Sequence, residues 1–159
     1  MPPVEPLIGF FAATHAVAAA VWVGAVFMGS VIDWPVARAT VEPHQFPFRF
    51  IVGQGHRVFV WVYAGIAILL VSGAVLLWLA PPQTPFESTL AALKVLALAV
   101  MVGNTLYGSL RTWPNLQFAT AEEAKFLYRG YMIRAYITCS SGIFAIVLGA
   151  LGRHLKAVF

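Results

Sequence analysis

Charged residues are scarce in this chain. Of its 159 residues, 10% are Asp, Glu, Lys or Arg and 60% are hydrophobic, whereas a soluble domain carries about 25% charged residues. This composition excludes a water-facing globule, because too little polar surface is available to cover one. A single cysteine, Cys139, also excludes a disulfide framework and a metal site built from paired thiolates.

Long apolar runs take the place of the missing charge. They cover about residues 7–32, 58–80, 88–110 and 126–151, and each is long enough to cross a bilayer. Backbone groups in lipid must be satisfied internally, and the alternating pattern of a barrel strand is absent, so the runs predict helices. Prolines stand at the edges of the runs, and Thr120-Ala121-Glu122-Glu123 predicts a helix start. We therefore predict one domain, residues 1–159, folded as an all-α four-helix transmembrane bundle without an internal repeat.

Basic residues predict how the bundle is oriented. The net charge of +4 comes from residues between the apolar runs, a distribution typical of topology signals and not of a nucleic-acid-binding face. Two connections and the helix ends beside them hold most of these residues: Arg38, Arg49, Arg57, Arg111, Lys125, Arg129 and Arg134. The positive-inside rule then predicts a multi-pass protein of the bacterial inner membrane with both termini in the periplasm. The N-terminus lacks a basic leader, so we expect the first run to be retained as a helix.

Two ionisable residues lie inside predicted spans. His15 is about eight residues into the first helix, roughly 12 Å deep at 1.5 Å per residue, and Lys94 lies at a similar depth in the third. Such residues are costly in lipid and are candidates for function. His15 fits a metal or haem ligand, or a donor to a carbonyl of a neighbouring helix. Lys94 fits a functional role, or a side chain that reaches towards the outer interface.

Further polar residues follow the predicted inner faces. Met101, Asn104 and Arg111 share one face of the third helix with Lys94, and Arg134 begins a stripe of small and hydroxyl residues on the fourth. A second polar cluster is predicted at the cytoplasmic end: Asp33, His56, Arg57, Arg111 and Arg134. Its arginines could pair with Asp33 or with carboxylates of a bound ligand.

The same residues resemble a known family. The segment Thr14–Gly24, with a histidine and then Trp-x-Gly two turns later, is similar to the first helix of the CopD family of membrane proteins. Arg57–Gly73, Leu93-Lys94-Val95 with Gly103-Asn104, and Ile133-Arg134 through Leu148-Gly149 resemble its later helices. His15, Trp22 and Lys94 also match positions in the distantly similar HemJ-type protoporphyrinogen oxidases, where the resemblance implies that the first-helix histidine is associated with haem.

These observations favour a haem b-binding membrane protein that transfers electrons, alone or as a subunit of a redox complex. His15 would be an axial ligand, with Met101 as a candidate sixth ligand and His56 as a candidate ligand of a second haem. The full set of cofactor-binding candidates is His15, Trp22, Lys94, Met101, Arg111 and Arg134. Cationic residues would bind the propionates: Lys94 near the outer side, and Arg111 or Arg134 near the inner side.

Three alternatives stay open at this point. The first is a copper transporter of CopD type, with cargo moving from His15 and Lys94 towards Asp33 and Arg134. The second is an enzyme resembling HemJ, and the third is a cofactor-free structural subunit that docks on a partner. We expect the lipid bilayer as surroundings, and a homodimer or a membrane redox complex as the assembly.

Overall fold

Helix occupies nearly all of the chain in the computed structural model. The structure describes residues 4–42 and 44–158, and within these ranges it describes every side chain except those of residues 56 and 153–158. The helices are α1 (Glu5–Phe27), α2 (Trp34–Ala39), α3 (Phe48–Leu79), α4 (Pro85–Tyr107), α5 (Trp113–Phe118) and α6 (Ala121–Val158). A π-helical segment, π1 (Met28–Asp33), joins α1 to α2, and another, π2 (Gly108–Thr112), joins α4 to α5. The predicted all-α four-helix bundle is confirmed.

The surface of the bundle is suited to lipid. Large apolar side chains point outwards along its length, including Phe10, Trp78 and Phe126. Four helical runs are long and apolar enough to cross a membrane: Glu5–Ala39, Phe48–Leu79, Pro85–Phe118 and Ala121–Gly152. The chain is therefore a multi-pass membrane protein.

Two of the spans begin earlier than the sequence predicts. α3 starts at Phe48 and not near residue 58, because Ile51 is buried and Gly55 lies directly against the Trp113 side chain. The expected long polar link over residues 33–57 is therefore helical on both sides of a short loop. α6 starts at Ala121, where the predicted capping signal is confirmed. The Thr120 amide donates to Glu123 Oε2 at 2.9 Å, and the Glu123 amide donates to Thr120 Oγ1 at 3.4 Å.

Pro35 and Pro114 do not end helices, contrary to the prediction that prolines mark the boundaries. Each follows a tryptophan at the start of a short helix that continues from a π-helical segment. In these segments the Trp34 amide donates to the Gly29 carbonyl and the Trp113 amide donates to the Gly108 carbonyl, five residues back. A proline has no amide hydrogen and its ring crowds the carbonyl four residues before it. The wider π turn lets the chain pass the proline without stopping.

The two π segments belong to an internal repeat. α1, π1, α2 and α3 form an N-terminal hairpin, and α4, π2, α5 and α6 form a C-terminal hairpin with the same order of elements. Both hairpins contain Gly-Ser, three residues and Trp-Pro, and the residues before this motif also match. The identical pairs are Val21/Val100, Val23/Val102, Gly24/Gly103, Gly29/Gly108, Ser30/Ser109, Trp34/Trp113 and Pro35/Pro114. The expectation of a chain without a repeat is wrong.

Side chains of the two hairpins cross in equivalent ways. The Tyr63 hydroxyl on α3 hydrogen-bonds Ser109 Oγ in π2 at 2.5 Å, and the Tyr136 hydroxyl on α6 donates to the Ser30 carbonyl in π1 at 3.3 Å. Each tyrosine thus reaches the π segment of the other hairpin. Both hairpins cross the membrane in the same direction, as parallel transporter repeats do.

Helix packing follows this symmetry with one exception. α1 packs along α3, α4 packs along α6, and α1 also packs on α6, but the backbones of α3 and α4 come close at far fewer positions. Two apolar clusters hold the bundle together. One lies at mid-depth and includes Trp22, Val62 and Met101. The other lies at the loop end, which we define as the end formed by α2, α5 and residues 40–42 and 44–47. The opposite, terminal end holds residue 5 and the α3–α4 connection.

Candidate functional site

His15 is anchored to α3 at the terminal end. Its Nδ1 lies 2.8 Å from Ser72 Oγ, and the Ser72 hydroxyl donates to the Ile68 carbonyl at 2.6 Å. Because the serine hydrogen is used in that bond, Ser72 accepts from His15, and Nδ1 carries the imidazole proton. Nε2 then holds the lone pair of the neutral ring, which is the form that binds a metal.

Small residues on α3 make this close approach possible. Ser72 is 2% exposed, and a Cβ added at Gly73 would lie 3.3 Å from His15 Cε1. His15 therefore ties α1 to α3 through the Ser72 hydroxyl, whereas one of the two sequence interpretations expects a backbone carbonyl as its partner. Its ring stays partly exposed.

Lys94 occupies the position on α4 that matches His15 on α1. It is half-buried, and its charge interacts electrostatically with His15, which agrees with the similar depth expected from the sequence. A Cβ added at Gly149 on α6 would lie 3.9 Å from Lys94 Nζ. The lysine thus lies over α6 where the histidine lies over α3.

Trp22 and Met101 form the next matching pair. They are 1% and 4% exposed, and each packs at a glycine of its own hairpin. A Cβ at Gly65 would lie 3.8 Å from Trp22 Cβ, and one at Gly142 would lie 3.5 Å from Met101 Sδ. Met101 is seven residues beyond Lys94 and so about 10 Å deeper along α4. This depth separates its sulfur from His15, the residue with which it was expected to share a haem iron.

A cavity of about 80 Å³ lies below this layer, towards the loop end, where α3 and α4 stand apart. We call it the loop-end cavity. Its polar lining comes from Trp22, Ser30, Gln54, Asn104, Thr105, Trp113, Tyr128, Tyr131, Arg134 and Thr138. The lining includes Trp22 and Arg134 from the predicted cofactor-binding set and omits His15 and Lys94. The structure therefore divides the predicted site residues between two places.

Arg134 enters the loop-end cavity from α6. Its Nη2 donates to Thr112 Oγ1 at 2.9 Å, and its guanidinium carbon lies 4.4 Å from the centre of the Tyr107 ring. Asp33, one of the two partners considered for the arginine, accepts a hydrogen bond from Gln54 Nε2. The other partner considered, a carboxylate of a bound ligand, stays a prediction.

The remaining candidates lie elsewhere. Arg111 is exposed in π2 and does not line the loop-end cavity. The side chain of His56 lies outside the described residues, and its backbone is part of α3. Among the side chains that the structure describes, no three His, Cys, Asp or Glu residues come together as a metal cluster.

Sequence reasoning missed three residues that shape the two sites. Ser72 fixes the His15 tautomer, Thr112 orients Arg134, and Trp113 closes the loop-end cavity. Thr112 and Trp113 could have been found from the repeated Gly-Ser and Trp-Pro motif, which aligns them with Asp33 and Trp34. For Ser72, the one signal in the sequence was its position next to Gly73.

Known proteins add no further constraint. Comparison of the chain with protein-family models, curated proteins and solved structures found no match. Function is therefore inferred from the side chains at the two ends of the bundle.

Proposed function

We propose that this protein binds haem b through His15 and transfers electrons in the bacterial inner membrane, alone or as a subunit of a redox complex. The observation that carries the proposal is the hydrogen-bond chain from His15 Nδ1 to Ser72 Oγ and on to the Ile68 carbonyl. Metal-bound histidines almost always donate their second ring N–H in this way, which sets the tautomer and the ring orientation. His15 is thereby prepared as a neutral imidazole ligand.

One imidazole is a sufficient protein contribution to hold a haem, since the porphyrin supplies four nitrogen ligands itself. When bound, the haem supplies one-electron chemistry at its iron. The loop-end cavity, at about 80 Å³, is too small for a porphyrin. We therefore assign the haem to the terminal-end pair, where His15 would hold the iron through its imidazole.

Lys94 supports the same assignment. A haem carries two propionates, and a cationic side chain close to the ligating histidine would bind one of them. Lys94 is half-buried at the terminal end and interacts electrostatically with His15. The ammonium group would position the porphyrin relative to the imidazole and compensate the propionate charge.

The proposed orientation places the terminal end, and with it His15 and Lys94, towards the periplasm. Its support is the concentration of basic residues at the loop end, which the positive-inside rule assigns to the cytoplasm. Reporter fusions after residue 158 test this: we expect alkaline phosphatase to be active there and a cytoplasmic reporter to be silent. The reverse pattern would show that the protein has the opposite orientation in the membrane.

A reduced-minus-oxidised spectrum with a pyridine haemochrome assay on the purified protein tests the haem. We expect a b-type spectrum that is lost in His15→Ala, because the axial ligand is removed. His44→Ala is the matched control, since His44 is exposed in the loop before α3, and it should keep the full spectrum. Ser72→Ala should retain the ligand but weaken haem binding by about 10- to 100-fold, the usual effect of removing such a hydrogen-bond partner.

A colourless wild-type protein would contradict the haem proposal. The same variants would then be tested for copper uptake and for protoporphyrinogen oxidation, the two activities that the resemblance also implies. A spectrum that survives in His15→Ala would equally remove His15 from the proposed site.

A further inference from the structure

The loop-end cavity collects N–H groups that have no acceptor. In the described part of the chain, four buried side-chain nitrogens make no hydrogen bond, and all four belong to residues that line this cavity. They are Trp22 Nε1, Asn104 Nδ2, Trp113 Nε1 and Arg134 Nε. Each is a hydrogen-bond donor, so the missing partner is an acceptor.

Burial makes these donors informative. Trp22 is 1% exposed and Trp113 is 6% exposed, and buried polar groups in proteins are nearly always hydrogen-bonded to protein, water or ligand. The two indoles come from different hairpins and meet at the same cavity. A single incompletely packed side chain would leave one donor unmet, whereas four unmet donors on residues around one cavity describe a binding site.

Charge narrows the identity of the acceptor. Arg134 is permanently protonated, and its contacts in the structure, the Thr112 hydroxyl and the Tyr107 ring, are neutral. The structure shows an ion pair between Lys125 and Glu122 at the start of α6, and neither residue lines this cavity. A cation inside a membrane span needs a counter-charge, so the acceptor that fits is an anion.

The volume of the cavity further limits which anion can bind. The cavity measures about 80 Å³, against about 10–15 Å³ for one water on this scale. We propose that the loop-end cavity binds a small monovalent carboxylate of the size of formate or acetate. Two carboxylate oxygens accept about four hydrogen bonds, which matches the four unmet donors, and one negative charge balances Arg134. This site is independent of haem binding at His15.

Thermal unfolding of the full-length protein in detergent, with sodium formate, sodium acetate or sodium chloride at equal ionic strength, tests the proposal. A ligand that binds the folded state raises the unfolding temperature in a saturable way. We expect this with formate and acetate, and a smaller effect with chloride, which has a single acceptor atom and fills less of the cavity. The absence of a saturable shift with either carboxylate would mean that water meets the donors, and would overturn the proposal.

Single-donor variants locate the site. Trp22→Phe and Trp113→Phe each keep an aromatic ring and remove one N–H, so each should weaken formate binding by about tenfold. Trp61→Phe and Trp78→Phe are matched controls, because these indoles are 71% and 80% exposed, and both should leave the affinity unchanged. Equal affinity in all four variants would place any carboxylate site elsewhere.

The arginine is tested by charge and by shape. Arg134→Gln should weaken formate binding by about 100-fold, since a charged hydrogen-bond donor is lost. Arg134→Lys should recover only part of the affinity, because an ammonium keeps the charge without the planar fork. Arg57→Gln is the control: Arg57 stands before Gly65 as Arg134 stands before Gly142, but it is exposed. An unchanged formate shift in Arg134→Gln would contradict the proposal.

Discussion

The two hairpins have the same backbone plan and carry different side chains at matching positions. In the N-terminal hairpin, His15 lies against a serine, and in the C-terminal hairpin, Lys94 lies over a glycine. The short imidazole needs a hydroxyl within reach, whereas the long lysine chain needs space. The partner residue on the second helix of each hairpin therefore suits the ionisable side chain that lies on it.

The same contrast holds deeper in the bundle. Trp22 and Met101 occupy equivalent places, yet only the tryptophan brings a hydrogen-bond donor to the loop-end cavity. The second polar group at this level comes from the C-terminal hairpin, where Asn104 stands in the position of Ala25. An approximately symmetric frame thus encloses an asymmetric cavity, to which each hairpin contributes different donors.

We expect the largest loss of stability from a substitution at the tight contact between Gly55 and Trp113. Gly55 on α3 lies directly against the Trp113 ring, which is itself confined by Phe59 and Tyr131 at centroid distances of 5.1 and 5.6 Å. A methyl group in Gly55→Ala would force this ring to move. We expect the free energy of unfolding to fall by about 2–3 kcal/mol, a typical effect of overpacking, when measured by SDS titration in detergent micelles.

Gly53→Ala is the matched control for that substitution. Gly53 lies in the same helix, but a Cβ there meets no atom within 4 Å, so its stability should stay close to that of the wild type. If Gly55→Ala were equally harmless, the crossing of Trp113 onto the N-terminal hairpin would not be a stabilising contact.

Substitution of two equivalent glycines, one in each hairpin, should have an intermediate effect on stability and should reveal a difference between the hairpins. A Cβ at Gly142 would collide with Val23 and come within 3.0 Å of Met101 Cε, whereas one at Gly65 meets Trp22 Cβ at an ordinary 3.8 Å. Gly142→Ala should therefore lower the free energy of unfolding by about 1–2 kcal/mol, and Gly65→Ala should change it little. The same SDS titration measures both.

A second substitution distinguishes crowding from a helix-propensity effect at Gly142. Val23→Ala removes the methyl groups that collide with the new Cβ, so it should restore part of the stability of Gly142→Ala. Stability that falls further in the double variant would show that the loss does not arise from this contact.

The crossing tyrosines predict the smallest effect. Tyr63→Phe removes the 2.5 Å hydrogen bond to Ser109, and bonds of this kind between membrane helices contribute about 0.6 kcal/mol on average. Tyr136→Phe removes a longer bond of 3.3 Å and should cost less. Thermal unfolding of the two variants, measured side by side, tests this order. A larger loss of stability in Tyr136→Phe would show that Tyr136 makes the stronger crossing contact.

The fold could be predicted because it depends on long apolar runs, which report span number directly. The early start of α3 could not be predicted, because residues 48–57 include two arginines, Gln54, His56 and two glycines. This segment packs on the other hairpin through Ile51 and Gly55. The prediction that Pro35 and Pro114 mark helix ends was wrong for a similar reason. A local rule places a helix end at proline, and the π segments that allow the helix to continue form only in the folded chain.

The candidate site was predictable at the level of single residues. His15 and Lys94 were singled out because ionisable residues in apolar runs are conspicuous. Their grouping was less accessible, since Arg134 and Trp22 belong to a cavity that His15 does not touch. That cavity depends on the wider spacing of α3 and α4, a property of tertiary packing that no spacing along the chain encodes.

The common direction of the two hairpins has an evolutionary consequence. Two copies of a single hairpin, related by a two-fold axis, would close into a symmetric dimer with the same residue on both sides of the axis. Such a dimer could present two histidines or two lysines at the terminal end, never one of each. Joining the hairpins through residues 80–84 removes that restriction, so that one chain carries His15 in its first hairpin and Lys94 at the matching position of its second.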